Sequence, residues 1–146
     1  MKLIIAFDPK GGIGYNGGLP WTNLQGDLPR FKELTTGQNI VMGRATWDSL
    51  PKKPLPNRTS WVFSHKTQDG AITLTDPVFL PKDAWVIGGA KVIELCWDLI
   101  DEIHVSRTFA EYTCDTFIDI VKLEEEFMCW QKENFVDHSY EIWKRK

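Results

Sequence analysis

Twice in this chain a short apolar run ends in glycine and passes directly into a helical pattern. One instance is Ile40-Val41-Met42-Gly43-Arg44-Ala45-Thr46-Trp47, the other Val86-Ile87-Gly88-Gly89-Ala90-Lys91-Val92-Ile93. A short run of this kind without alternation has the pattern of a strand buried on both faces. A parallel partner for such a strand is reached only through a crossover, commonly a helix, so the pattern points to a sheet covered by helices. The alternation recurs along the chain. β-rich runs lie at 3–7, 39–43, 59–64, 71–74, 85–89, 102–107 and 140–144, and helical patterns at 27–35, 44–50 and 91–99. These predict an α/β fold with parallel strand pairs. The last third reads as strands joined by a long connection, which predicts a mixed sheet.

No linker, repeat or low-complexity tract interrupts the 146 residues, so they are read as one domain, 1–146. A domain of this size buries roughly two-thirds of its unfolded surface and folds without metal or disulfide. The net charge of −3 gives no footing for a nucleic-acid or polybasic membrane role. The start, Met1-Lys2-Leu3-Ile4-Ile5-Ala6-Phe7-Asp8, is charged too early for a signal peptide, and no apolar run approaches membrane-spanning length. Cys96, Cys114 and Cys129 cannot all pair within one chain and form no metal-type cluster. They read as reduced core thiols in a cytoplasmic protein without a metal site. No apolar surface helix is left over, so a monomer is expected.

Three features bear on chemistry. The first is Asp27. On a helix over 27–35 it shares a face with Leu28, Phe31, Leu34 and Thr35, while Arg30, Lys32 and Glu33 point elsewhere. Pro29 puts Asp27 in the first turn, where an acid also suits the helix dipole. The alternative is a desolvated acid that anchors a cationic or amidine-like ligand. The second is the stretch 10–20, which holds five glycines and reads as a mobile loop: a plain surface turn, or a lid over a ligand. The third is the pair of glycine junctions. Glycine admits a ligand to the backbone and a helix N-terminus offers free N–H groups to phosphate, although close strand–helix packing also selects glycine. Neither junction is a GxGxxG fingerprint. Arg44 and Lys91 open the two helices and Ser64-His65-Lys66 follows the strand at 59–64. If those strand ends are neighbours, they form a basic cluster suited to one phosphate.

Taken together, the motifs resemble the dihydrofolate reductase family. The pieces are Ile13-Gly14, Leu19-Pro20-Trp21, Asp27-Leu28 with Phe31-Lys32, Met42-Gly43-Arg44-Ala45-Thr46-Trp47-Asp48-Ser49-Leu50, Pro54-Leu55-Pro56-Asn57-Arg58, Ile87-Gly88-Gly89 and Asp115-Thr116. They stand in family order over nearly the whole chain. The resemblance implies a central twisted, mixed but mostly parallel sheet of about eight strands flanked by helices, with an antiparallel C-terminal edge. It implies NADPH as cofactor, bound by Ala6, Ile13, Gly14, Leu19, Gly43, Arg44, Ala45, Thr46, Ser64, His65, Ile87, Gly88, Gly89, Ala90, Lys91 and Val92. It implies a folate substrate held by Ile5, Asp27, Leu28, Phe31, Leu50, Leu55, Arg58 and Ser106, with Asp27, Leu19 and Trp21 as the catalytic set. Diaminopyrimidine and pteridine antifolates are the expected inhibitors.

This sequence departs from the family pattern at Ile93, where a tyrosine is usual, at Ala90, where a third glycine is usual, and at Cys114, where glycine is common. Two rival readings share the fold: a reductase of a riboflavin precursor, which would need neither Asp27 with Phe31 nor Arg58, and a structural or binding module.

Overall fold

The computed structural model describes residues 1–21 and 23–146. Its chain order is β1 (Lys2–Phe7), β2 (Gly12–Gly14), α1 (Asp27–Thr35), β3 (Asn39–Gly43), α2 (Arg44–Ser49), β4 (Thr59–Phe63), β5 (Ile72–Leu74), β6 (Trp85–Gly88), α3 (Ala90–Cys96), β7 (Glu102–Thr108), β8 (Thr116–Phe117), α4 (Ile120–Glu126), β9 (Phe127–Asn134) and β10 (His138–Arg145). Eight strands form one sheet in the order β5-β4-β3-β6-β1-β7-β10-β9. Every pair from β5 to β7 is parallel, and β10 pairs antiparallel with both β7 and β9. The sheet is therefore mixed, with parallel strands at its centre and an antiparallel edge.

Alternation along the buried strands divides their side chains between two cores. Leu3, Phe7, Val41, Val86, Ile103 and Val105 pack with Val92, Ile93 and Cys96 of α3 and Leu123 of α4. On the opposite face, Ile40, Met42, Val62 and Trp85 pack with Trp47 of α2 and Leu34 of α1. Period-2 alternation thus places α3 and α4 on one face and α1 and α2 on the other. Burial pushes the Cys96 thiol up to about 11, so it stays protonated at neutral pH and serves as an apolar core group.

A buried polar cluster lies on the α3/α4 face of the antiparallel edge. Glu141 is 1% exposed. Its carboxylate accepts from Ser139 Oγ at 2.6 Å and Trp143 Nε1 at 2.9 Å, and lies 3.9 Å from the Arg107 guanidinium. These side chains project together because 139, 141 and 143 alternate to one face and β10 pairs Ser139 with Arg107.

Three expectations are revised. Residues 12–14 are not plain loop: they pair with β8, and Tyr15 bridges to Gly18. The helical pattern at 91–99 divides into α3 and a short 3-10 turn at Trp97–Leu99. The long connection in the last third contains α4, which Asp119 caps by accepting from the Lys122 N–H at 3.0 Å, followed by the full edge strand β9.

Candidate active site

Asp27 begins α1, immediately after Gly26, whose φ of 85° is open to glycine at little cost. The helix lies over the α2 face of the sheet, where β7 presents Glu102, His104 and Ser106. Ser106 Oγ donates to Asp27 Oδ1 at 2.5 Å. β7 pairs Ser106 with Ala6 of β1, so the acid stands over the C-terminal end of the central strand pair.

Arg30 does not point elsewhere. One turn after Asp27, its Nη1 donates to Ser106 Oγ at 3.2 Å and lies 3.9 Å from Asp27 Oδ1. The guanidinium lies over the rings of Tyr140 and Phe135, at 4.2 and 4.9 Å from their centroids. It also meets His138 Nε2 at 3.2 Å. An arginine only donates, so Nε2 accepts, and Nδ1 carries the ring proton toward Asp137 at 2.6 Å. That bond from His138 holds the Asp137 carboxyl below the usual range. The polar layer continues under α1, where His104 bonds both Tyr140 and Glu102. Burial draws the His104 imidazole below its ordinary value and raises the Tyr140 phenol.

Beside Asp27 opens a cleft of about 450 Å³. Leu28, Phe31, Leu50, Leu55 and Arg58, all expected at the substrate site, line it. Leu28 is 65% exposed, although it sits on the helix face expected to be apolar. The reason is that this face looks into the open cleft as well as onto the sheet. Asn57, at φ 62°, turns the chain so that Arg58 faces Phe31, 5.8 Å from its ring centroid. The Nε of Arg58 is buried with no partner.

On the other side of Asp27 are the strand ends. Gly43 of β3 pairs with Phe63 of β4, and Met42 pairs with Gly88 of β6. The segments carrying Arg44 and Ala45, Ser64 and His65, and Lys91 therefore leave adjacent strands at the same edge. A side chain on Gly43 would come within 3.1 Å of Val92, and Gly88 (φ 131°) and Gly89 both face Thr46 Oγ1 at 3.7 Å. Gly43, Gly88, Gly89, Thr46 and Val92 thus form one shallow cradle of backbone. Ile87 packs into the core beneath it. Ile13, Ala90 and Ile93 line an adjoining cavity of about 300 Å³. Arg44 pairs with Asp48 at 3.1 Å on the surface of α2.

The loop over this edge is tied at its base and held near its tip through Asn16. Buried Asp8 accepts from the N–H groups of Lys10, Gly12 and Tyr112 at 2.8 to 3.0 Å. Gly14 accepts from Asp115, and Asp115 accepts from the Asn16 N–H, both at 2.9 Å. Cys114 packs against Gly12, where a side chain would meet its sulfur at 2.3 Å. Trp21 is buried edge-on to Tyr112 at 5.4 Å. Leu19 is 63% exposed, and Ile5 packs into the α3-side core beneath. The members of the site that the sequence did not reveal are Arg30, His104, His138 and Tyr140. A helical wheel could have flagged Arg30 only as the i+3 neighbour of Asp27.

A glycine cradle at the ends of parallel strands, a carboxylate beside it and an apolar cleft beyond are the parts of an enzyme site that takes a phosphate-bearing ligand next to a largely apolar small molecule. The dihydrofolate reductase family model matches residues 1–144. Dihydrofolate reductase type 8 of Escherichia coli is 31% identical, over all of this chain and 96% of that protein. The bifunctional dihydrofolate reductase-thymidylate synthase of Paramecium tetraurelia is 35% identical over 81% of this chain, which spans 28% of that protein's length. Among solved structures, dihydrofolate reductase from Enterococcus faecalis complexed with NADP(H) and RAB-propyl superposes with a TM-score of 0.85 at 28% identity, covering 99% of this chain and 95% of the other. The chain belongs to the dihydrofolate reductase family.

Proposed function

We propose that Asp27 is the acid that holds the pterin ring of dihydrofolate while the chain reduces it with NADPH. The chain is a dihydrofolate reductase: it converts 7,8-dihydrofolate to 5,6,7,8-tetrahydrofolate. The observation that carries the role of Asp27 is its position, 2.5 Å from Ser106 and between the glycine cradle and the apolar cleft. A carboxylate there accepts in parallel from the 2-amino group and ring N–H of the pterin. Ser106, already donating to Asp27, fixes which way the carboxylate faces. Leu28, Phe31, Leu50 and Leu55 supply the walls against which the pterin and benzoyl rings pack; Ile5, expected among them, points to the core on the opposite face of the sheet, and its neighbour Ile4 is the β1 side chain on the Asp27 side. Arg58, with its unpartnered Nε, pairs the α-carboxylate of the glutamate tail.

The cradle fits the cofactor, because Gly43, Gly88 and Gly89 leave open backbone that added side chains would cover and along which a pyrophosphate would lie. Gly43, Ala45, Thr46, Gly88, Gly89, Ala90 and Val92 would hold it. Arg44, Ser64, His65 and Lys91 would meet the 2′-phosphate, with Arg44 released from Asp48. Ala6, Ile13, Gly14 and Ile87 would meet the nicotinamide end, and Leu19 would close the loop over it. When bound, the cofactor supplies the hydride. The protein supplies the face-to-face geometry, keeps bulk solvent out beneath the loop, and through the Asp27 carboxylate favours the pterin in its protonated form. Water delivers the proton to the ring nitrogen. Trp21, wedged on Tyr112, fixes the base of the loop.

The site residues all come from one chain, so this reading needs no second copy. No helix among the described residues is long and apolar enough to cross a membrane. The three free cysteines suit a reducing cytoplasm. A variant at the far end of the cleft tests the substrate assignment. Arg58→Leu removes a charge-assisted contact of about 1.5–3 kcal/mol, so KM for dihydrofolate should rise roughly ten- to hundredfold while kcat changes little. A fall in kcat at unchanged KM would place Arg58 away from the substrate tail.

A further inference from the structure

Nothing in the reduction of a neutral dihydropterin calls for a fixed cation behind the acid that binds it, yet Arg30 stands there. Its Nη1 is 3.9 Å from Asp27 Oδ1 and bonds Ser106 and His138, each at 3.2 Å. Tyr140 and Phe135 hold the guanidinium, and the side chain is only 14% exposed. These contacts hold the guanidinium beside Asp27 and largely out of water. Asp137 lies beyond the His138 ring and Glu102 beyond His104, so neither carboxylate touches Arg30.

We propose that Arg30 is a specificity-determining residue: a permanent positive charge behind Asp27 that weakens the site's preference for a cationic heterocycle over a neutral pterin of the same shape. The inference rests on the reading of Asp27 as the pterin anchor. A neutral ring donates two hydrogen bonds to Asp27, and Arg30 has no net charge there to repel. A protonated 2,4-diaminopyrimidine makes the same two bonds with added charge. It must also bring that charge to within about one ring's width of Arg30. That repulsion offsets part of the gain from Asp27; Asp27 is the nearer of the two charges, so it still supports transient protonation of the pterin. At the effective dielectric of a protein interior the offset corresponds to at least about tenfold in affinity.

The test is calorimetric titration of the NADPH-loaded protein with 2,4-diamino-5-benzylpyrimidine and, separately, with folate. Arg30→Gln and Arg30→Met are compared with the unsubstituted chain; methionine fills the space between Tyr140 and Phe135 if glutamine disturbs the fold. Either variant should bind the diaminopyrimidine at least about tenfold more tightly, with folate changed by less than about threefold. Arg30→Lys, which retains the charge, should keep the original ratio of affinities. Parallel changes for the two ligands, or no tightening of the diaminopyrimidine, overturn the role of Arg30. Asp27→Asn separates the two readings. If it weakens both ligands while the Arg30 variants leave their ratio unmoved, the inference on Arg30 fails alone. If Asp27→Asn leaves both ligands unchanged, the assignment of Asp27 fails with it.

Discussion

Asp27→Asn is expected to lower turnover of dihydrofolate at neutral pH by roughly 10²- to 10⁴-fold, the usual range for losing a group that governs a proton transfer. Asparagine keeps the shape of the side chain, and its Oδ1 can still accept from Ser106, so the fold and NADPH binding should persist. What disappears is the negative charge. Without it, one pterin donor faces an amide N–H, and protonation of the ring nitrogen loses its electrostatic support. The loss should shrink at acid pH, where the substrate arrives already protonated. Steady-state rates across pH, with circular dichroism as the check on folding, measure both effects. Unchanged turnover at neutral pH would remove Asp27 from the mechanism.

Glu141→Ala is expected to cost about 3–5 kcal/mol of stability, the range for removing one partner of a buried ion pair. Two buried donors, Ser139 Oγ and Trp143 Nε1, lose their acceptor together, and the Arg107 guanidinium, 3.9 Å away, loses its counter-charge. The Nε of Arg107 is itself buried without a partner, although 27% of the side chain is open to solvent. Glu141→Gln should lose much less, because the amide oxygen still accepts from a neighbour. The cluster lies on the sheet face opposite Asp27, so protein that remains folded should keep its turnover number. Urea denaturation gives the midpoints. Equal midpoints for the alanine variant and the unsubstituted chain would mean that Glu141 contributes no net stability.

What the sequence revealed follows from where its information is local. The bounds of α1 at 27–35 are legible because Pro29 marks the first turn and the apolar spacing carries the rest. Both glycine junctions are legible because each strand is buried on both faces, and their adjacency follows once β3, β4 and β6 pair. β9 was not legible: from Met128 to Asn134 every residue is exposed, so the strand has no buried face to impose alternation. β2 was hidden for another reason, since two of its three residues are glycines with no side chain to show a pattern. The polar layer under α1 needs Arg30 from the helix, Ser106 and His104 from β7, and His138 and Tyr140 from β10. Their meeting depends on the β7–β10 register, which no local spacing encodes. A wheel that sorts side chains into apolar and polar faces places Arg30 outward, because it cannot anticipate acceptors and rings beneath the helix. The motifs that carry the family resemblance include Asp27 but none of the residues behind it.

The most direct test of the whole account is a spectrophotometric assay of NADPH oxidation by the purified chain, run with and without dihydrofolate. The account predicts oxidation that depends on dihydrofolate, yields one tetrahydrofolate per NADPH consumed, and is largely lost at neutral pH in Asp27→Asn. Oxidation that is absent, or that proceeds equally without dihydrofolate, would contradict it.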